Sequence, residues 1–89
     1  MLLRTKKEDN IIKQELKVIE LALNKYSIVG KPENIYGSLD SELSFGIRIF
    51  WEDKFTRKKV SRVITFFVYK DFDNQRLYLY EGEERVGVI

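Results

Sequence analysis

Cysteine and histidine are both absent from this 89-residue chain. Without them, the sequence excludes disulfide bonds, thiolate zinc sites, and the commonest catalytic nucleophile and general base. No Gly-rich phosphate loop is present, and the carboxylates fall on predicted turns and strand ends. We therefore expect no enzyme activity, no metal site and no cofactor. The lack of cysteine also fits a reducing compartment, so we expect a cytoplasmic protein.

Long apolar runs are missing as well. Met1, Leu2 and Leu3 are followed at once by Arg4, unlike a signal peptide, and no segment reaches the ~20 apolar residues of a membrane span. We expect a soluble protein with no membrane partner. Only one proline and five glycines occur, and 44% of the residues are hydrophobic, which is typical of a folded chain. The length favours a single domain, residues 1–89, with one core.

Charge of one sign does not dominate, because 16 basic residues nearly cancel 14 acidic ones and leave a net charge of +2. Any electrostatic function must therefore come from local clustering. A lysine- and isoleucine-rich composition without cysteine is common among virus- and plasmid-encoded proteins, and we expect such an origin.

Residues 7–27 predict an amphipathic helix. Apolar residues recur there at spacings of three and four: Ile12, Leu16, Ile19 and Leu23, with Leu21 and Tyr26 alongside. Polar residues form the opposite, solvated face: Lys13, Lys17, Glu20 and Asn24. Gly30 and Pro32 are expected to end the helix.

The rest of the chain predicts an antiparallel meander. Residues 30–43 are a predicted linker, in which Ile35, Tyr36 and Leu39 either form a short extra strand or pack under the sheet. A period of two then marks strands at residues 44–51, 60–70 and 75–81, and the tail VGVI extends an edge. The predicted fold class is α+β: one N-terminal amphipathic helix packed on a three-stranded (or four-stranded) antiparallel β-meander.

We predict a register in which Lys70 pairs with Gln75, and Phe66 lies between Ile47 and Leu79. Directly paired residues share a face of the sheet. One face then collects the apolar floor for the helix: Phe45, Ile47, Ile49, Trp51, Ile64, Phe66, Val68, Leu77 and Leu79.

The opposite face is aromatic where a polar surface is normal. Its candidate interface residues are Phe50, Val63, Phe67, Tyr69, Tyr78 and Tyr80. Three alternatives account for it. Residues 30–43 or the C-terminal tail cover the face, the face mediates self-association, or its rings form a stacking platform for nucleic-acid bases.

A basic hairpin between the first two predicted strands is the candidate nucleic-acid site: Lys54, Arg57, Lys58 and Lys59, with Phe55 at its tip. The predicted register places Arg62 opposite Glu83, so that acidic residues cancel part of the charge at the base of the hairpin. The alternative is a solvated hairpin whose charges protect strand edges from aggregation.

Asp71, Asp73 and Asn74 resemble the start of a calcium-binding loop. Such a loop needs glycine at its sixth position and a bidentate glutamate at its twelfth, where this chain has Arg76 and Gly82. We predict instead a turn held by Asx side chains.

The order of one helix and a three-stranded meander resembles the first four elements of a double-stranded RNA-binding domain, in topology alone. That family continues into a second, phosphate-binding helix, for which we expect no room after Ile89.

The leading expectation is a non-enzymatic interaction protein that forms a homodimer and binds or modulates an unidentified protein partner. The alternative is a nucleic-acid-binding protein that uses the basic hairpin, with Phe67, Tyr78 and Tyr80 as its stacking surface.

Overall fold

A computed structural model describes the backbone of residues 6–89 and the side chains of residues 13–89. In chain order the elements are α1 (Lys6–Lys25), β1 (Pro32–Gly37), β2 (Glu42–Glu52), β3 (Lys59–Asp71), β4 (Arg76–Glu81) and β5 (Glu84–Val88). The sheet order follows the chain, and each strand pairs antiparallel with the next. The α+β class is confirmed, but three or four strands is wrong, because the sheet has five.

The helix α1 lies on one face of the sheet, as its pattern predicts. Ile19, Ala22 and Leu23 are buried, whereas the predicted solvated residues Lys13, Lys17, Glu20 and Asn24 are all exposed. The side chain of Ile12 falls outside the described residues.

The helix ends earlier than Gly30 and Pro32 predicted. Ser27 adopts a left-handed φ of 53°, and the N–H of Ile28 donates a 2.9 Å hydrogen bond to the carbonyl oxygen of Leu23. This is a Schellman-type helix end, with serine at the position that glycine usually occupies. Pro32 instead begins β1.

Two of the five strands come from segments with weak strand signals. Most of the expected linker 30–43 forms β1 and its turn, which settles that Ile35 and Tyr36 form the extra strand. Leu39 packs against the core from the loop after it. Gly37 has a φ of 83°, and a side chain there would collide with the carbonyl of Glu42, so the turn requires glycine. The resemblance to a double-stranded RNA-binding domain is lost, because β1 stands between the helix and the first predicted strand.

The predicted register is wrong by two residues at both pairings. Phe45, rather than Ile47, lies opposite Phe66, and Val68, rather than Phe66, lies opposite Leu79. An even shift leaves every side chain on its predicted face. The face that packs on α1, the inner face, supplies the buried core residues Leu43, Phe45, Ile47, Phe66, Val68 and Leu79.

The middle of the sheet extends beyond its neighbours. On one side, the pairing of β1 with β2 ends at Ile47. On the other side, the last contact is the hydrogen bond that the N–H of Gly82, in the β4–β5 turn, donates to the carbonyl oxygen of Thr65. Beyond these points residues 48–63 pair only with each other, as a two-stranded hairpin here termed the arm, and the side chain of Arg48 at its base forms a salt bridge with Glu33 of β1. The five residue pairs of the arm span about 17 Å at 3.4 Å per residue. The radius of gyration is 15.2 Å, against about 12 Å for a compact chain of this length.

Ile49 and Trp51 do not join the floor under α1, contrary to the prediction. They point to the inner face, but they lie on the arm and outside the core cluster. Trp51 remains 45% exposed.

Candidate interaction surfaces

Four aromatic side chains form a block on the face of the sheet opposite α1, the outer face. Phe67 pairs with Tyr80, and Tyr69 pairs with Tyr78, across β3 and β4. The ring centroids of Phe67 and Tyr69 are 6.2 Å apart, and Tyr69 meets Tyr80 edge to face at 5.2 Å. Four of the six predicted interface residues therefore form one contiguous cluster, termed the aromatic block.

Polar groups surround the aromatic block. The guanidinium of Arg85, on β5, lies 4.6 Å from the centre of the Tyr78 ring. Desolvation raises the pKa of the Tyr69 phenol, and Glu42, its cross-strand partner, raises it further through its charge and a hydrogen bond. The Tyr69 phenol thus stays protonated and remains a hydrogen-bond donor at neutral pH.

Neither of the two segments expected to cover the aromatic block lies over it, and the contact of the Arg85 guanidinium with the Tyr78 ring is made by a side chain of β5. Of these two segments, residues 30–43 form the edge strand β1 and the tail forms the edge strand β5. That alternative is therefore wrong. The rings shield one another, yet Tyr69 remains 38% exposed. A shallow concavity of about 360 Å³, lined by Tyr69, Tyr80, Gly82 and Glu83, opens beside them.

The other two predicted interface residues lie apart from the aromatic block. Val63 sits at the base of the arm, beside Gly46, and Phe50 lies on the arm itself. The sequence interpretation missed Tyr36, whose cross-strand partner Ser44 places it on the outer face. A β-bulge between Glu33 and Tyr36 determines that side, and the sequence carries no clear signal for it.

The arm concentrates positive charge. Six basic and two acidic side chains lie in residues 48–63, a net charge of +4 against +2 for the whole chain. One of the six basic side chains, Arg48, forms a 2.9 Å salt bridge with Glu33 of β1. The predicted basic residues Lys54, Arg57, Lys58 and Lys59 are all exposed. Arg62 does not lie opposite Glu83, because β4 ends at Glu81, opposite Phe66. The acidic strand end therefore stops short of the arm and does not pair with it.

The tip of the arm is an ordered turn. The Oδ1 atom of Asp53 accepts hydrogen bonds from the N–H groups of Phe55 at 2.8 Å and Thr56 at 3.0 Å. The N–H of Arg57 donates to the carbonyl oxygen of Asp53, and the N–H of Asp53 donates to that of Lys58. The two hydrogen bonds that Oδ1 accepts, from the N–H groups of Thr56 and Phe55, lower the pKa of Asp53. The turn presents the ring of Phe55 to solvent, where it is 97% exposed.

The turn between β3 and β4 is held by an Asx side chain, as predicted. The Oδ1 atom of Asp71 accepts from the N–H of Asp73 at 3.1 Å, and its Oδ2 atom accepts from the side-chain amide of Asn74 at 2.8 Å. These contacts lower the pKa of Asp71. Throughout the described part of the chain, carboxylates nowhere gather in a group of three that would suit a metal ion.

The helix that the structure describes is too polar to cross a membrane. No family model matches the sequence, no curated protein is significantly similar to it, and no solved structure is significantly similar to its fold.

Proposed function

We propose that this protein is a small, cytoplasmic, non-enzymatic interaction protein that forms a homodimer through its outer face and thereby binds or modulates another macromolecule. The observation that carries this proposal is the uncovered aromatic block. Exposed clusters of large apolar side chains usually mark interfaces. Tyrosine is also enriched at such sites, because its ring supplies contact area while its hydroxyl remains hydrogen-bonded.

A second copy is the occupant that we propose for the outer face. A chain of this length buries a small core, and α1 covers one face of the sheet only. Pairing two outer faces would give each copy a second buried layer. Phe67 and Tyr69 of β3 lie beside Tyr80 and Tyr78 of β4, so that rings from both strands would contribute to this contact.

Light scattering on a sizing column, at low and high salt, tests the dimer. We expect a dimer mass under both conditions, because an apolar contact is not screened by salt. Tyr69→Lys should give a monomer, whereas Leu21→Lys, at an exposed apolar position on α1, should remain dimeric. A monomeric wild-type protein over a wide concentration range would refute the proposal.

A second candidate function is nucleic-acid binding by the arm. The observation that carries it is a hairpin with a net charge of +4 that projects past the ends of β1 and β4. A two-stranded ribbon bearing lysine and arginine can follow a phosphate backbone. The supporting residues are Lys54, Arg57, Lys58 and Lys59.

Charge-matched variants test this second function. Replacing the four tip cations by alanine should abolish oligonucleotide binding, and wild-type binding should weaken steeply as salt rises. The control replaces four exposed cations elsewhere by alanine: Lys13, Lys17, Lys31 and Arg76. Equal losses in both variants would show a nonspecific effect of net charge and contradict a site on the arm.

A further inference from the structure

Three exposed aromatic rings lie on the arm among its cations. Phe55 is 97% exposed, Phe50 is 73% exposed and Trp51 is 45% exposed. Phe50 and Trp51, with Glu52 and Lys59, line a shallow concavity of about 340 Å³ below the tip. Large rings so exposed carry an unfavourable contact with water that a bound partner would relieve.

We infer that the arm binds single-stranded nucleic acid, with unpaired bases stacked on Phe55 at the tip, on Phe50 on the outer face of the arm and on Trp51 on its inner face, and with phosphates held by the neighbouring cations. This inference rests on the second proposed function and specifies its ligand. Single-strand sites combine a basic track with exposed rings, because every unpaired base offers a flat face for stacking. In a duplex those faces are already stacked on one another, so the rings would have to separate base pairs to reach them.

The position of the rings favours the arm over the aromatic block as the stacking surface. Lys59 and Phe67 are eight residues apart on β3, which separates them by about 27 Å. The rings of the block also shield one another, as the edge-to-face contact of Tyr69 with Tyr80 shows. On the arm, Phe55 lies between Lys54 and Arg57 in the chain, so one strand of nucleic acid can reach ring and cations together.

The turn at the tip of the arm holds Phe55 in a fixed position. The two hydrogen bonds that the Asp53 carboxylate accepts hold the backbone of Phe55 and Thr56 in one conformation. Arg57 has a φ of 56°, which completes the tight turn. A ring presented on a fixed turn loses less conformational entropy on binding than one on a mobile loop.

Trp51 is the only tryptophan of the chain, so its fluorescence reports directly on the arm. We would titrate the full chain with oligothymidine, following tryptophan fluorescence and the anisotropy of a labelled strand. We expect quenching on binding and a log–log salt slope of about −3, as for four phosphate contacts on a single strand. A duplex of the same length should bind more weakly.

Ring substitutions provide the matched comparison. Phe55→Ala and Phe50→Ala should each weaken binding about tenfold, with the salt slope unchanged. The control is Phe72→Ala, which removes an exposed ring beside Lys70 in the turn after β3, away from the arm. Circular dichroism of each variant checks that the fold is retained.

The possible outcomes distinguish base stacking on the arm from nucleic-acid binding in general. Equal binding of duplex and single strand, with unchanged Trp51 fluorescence, would overturn stacking and leave nucleic-acid binding in place. Absence of binding to any oligonucleotide at low salt would overturn both. Binding to vesicles of anionic phospholipid but not to oligonucleotides would assign the arm to lipid surfaces and overturn both as well.

Discussion

The hydroxyl of Tyr26, just after α1, donates a 2.5 Å hydrogen bond to the carbonyl oxygen of Val88, at the end of β5. The Nζ atom of Lys25 donates to the same oxygen at 2.7 Å. The ring of Tyr26 lies so close to Gly87 that a β-carbon there would overlap it. The end of the helix is thereby attached to an edge strand 62 residues further along the chain.

This contact predicts that Gly87→Ala destabilises the protein by about 1–3 kcal/mol, since the new methyl group overlaps the Tyr26 ring. In a Tyr26→Leu background the same change should cost clearly less, because the ring is gone. Chemical denaturation of the four proteins in this double-mutant cycle measures the coupling. Additive effects would show that Gly87 is needed for another reason.

Glu15 predicts an unusual dependence of stability on pH. Its side chain is 3% exposed, and Oε1 has no hydrogen-bond partner among the described residues. Burial raises the pKa of Glu15; the backbone N–H of Leu39 partly offsets this, and the charge of Asp40 adds to the rise. The native state therefore takes up this proton at a higher pH than the unfolded chain, whose value is 4.5. The contribution of Glu15 to stability should increase as pH falls through the raised pKa towards 4.5.

Urea denaturation at about pH 7 and about pH 5 tests the role of Glu15. Glu15→Gln should increase the free energy of unfolding at the higher pH by about 1 kcal/mol, because it removes a buried charge. Between about pH 7 and about pH 5, the free energy of unfolding of this variant should also rise less than that of the wild-type protein. Glu20→Gln, at an exposed position on the same helix, is the control and should change neither value. If the free energy of unfolding of Glu15→Gln depended on pH as in the wild-type protein, Glu15 would not be the group responsible for that dependence.

The backbone conformation of Ser27 predicts that glycine at this position would stabilise the protein. Its left-handed φ of 53° is costly for a residue with a β-carbon, so Ser27→Gly should stabilise the protein by about 1 kcal/mol. That gain corresponds to a rise in Tm of about 4–8 °C for a domain of this size. Ser41→Gly, in an exposed turn, should give no rise. A lower Tm for Ser27→Gly would mean that the serine side chain contributes more than the strain costs.

Asp53 predicts a local effect at the tip of the arm. Asp53→Ala removes the acceptor for the N–H groups of Phe55 and Thr56, so both amides should exchange faster with solvent. Amides in the paired strands should keep their rates. In the wild-type protein, NMR titration should place the pKa of Asp53 below the ordinary 3.8, since its hydrogen bonds favour the charged form.

A matched change in the other hairpin turn is the control for Asp53. Asp73→Ala removes an exposed carboxylate beside Asp71 and should leave the exchange of Phe55 and Thr56 unchanged. Unaltered exchange in Asp53→Ala would mean that the backbone bonds of Arg57 and Lys58 hold the tip without the carboxylate.

The sequence by itself determined the helix, the three central strands β2, β3 and β4, the Asp71 turn and the division of strand residues between two faces. These features depend on local periodicity and on side chains a few residues apart. The face assignment survived a register error, since both pairings shifted by two residues and side chains alternate with a period of two. The same alternation identified Phe67, Tyr69, Tyr78 and Tyr80 as neighbours on one face.

Only the tertiary structure decided where the sheet ends. Residues 32–37 and 84–88 become strands because β2 and β4 offer them unpaired backbone groups, a reason that neither segment carries in its own pattern. Because β1 pairs with β2 only as far as Ile47 and β4 ends at Glu81, residues 48–63 pair with no other strand; this creates the arm and separates Phe50 from the aromatic block. Because both segments take edge positions within the sheet, neither covers the outer face.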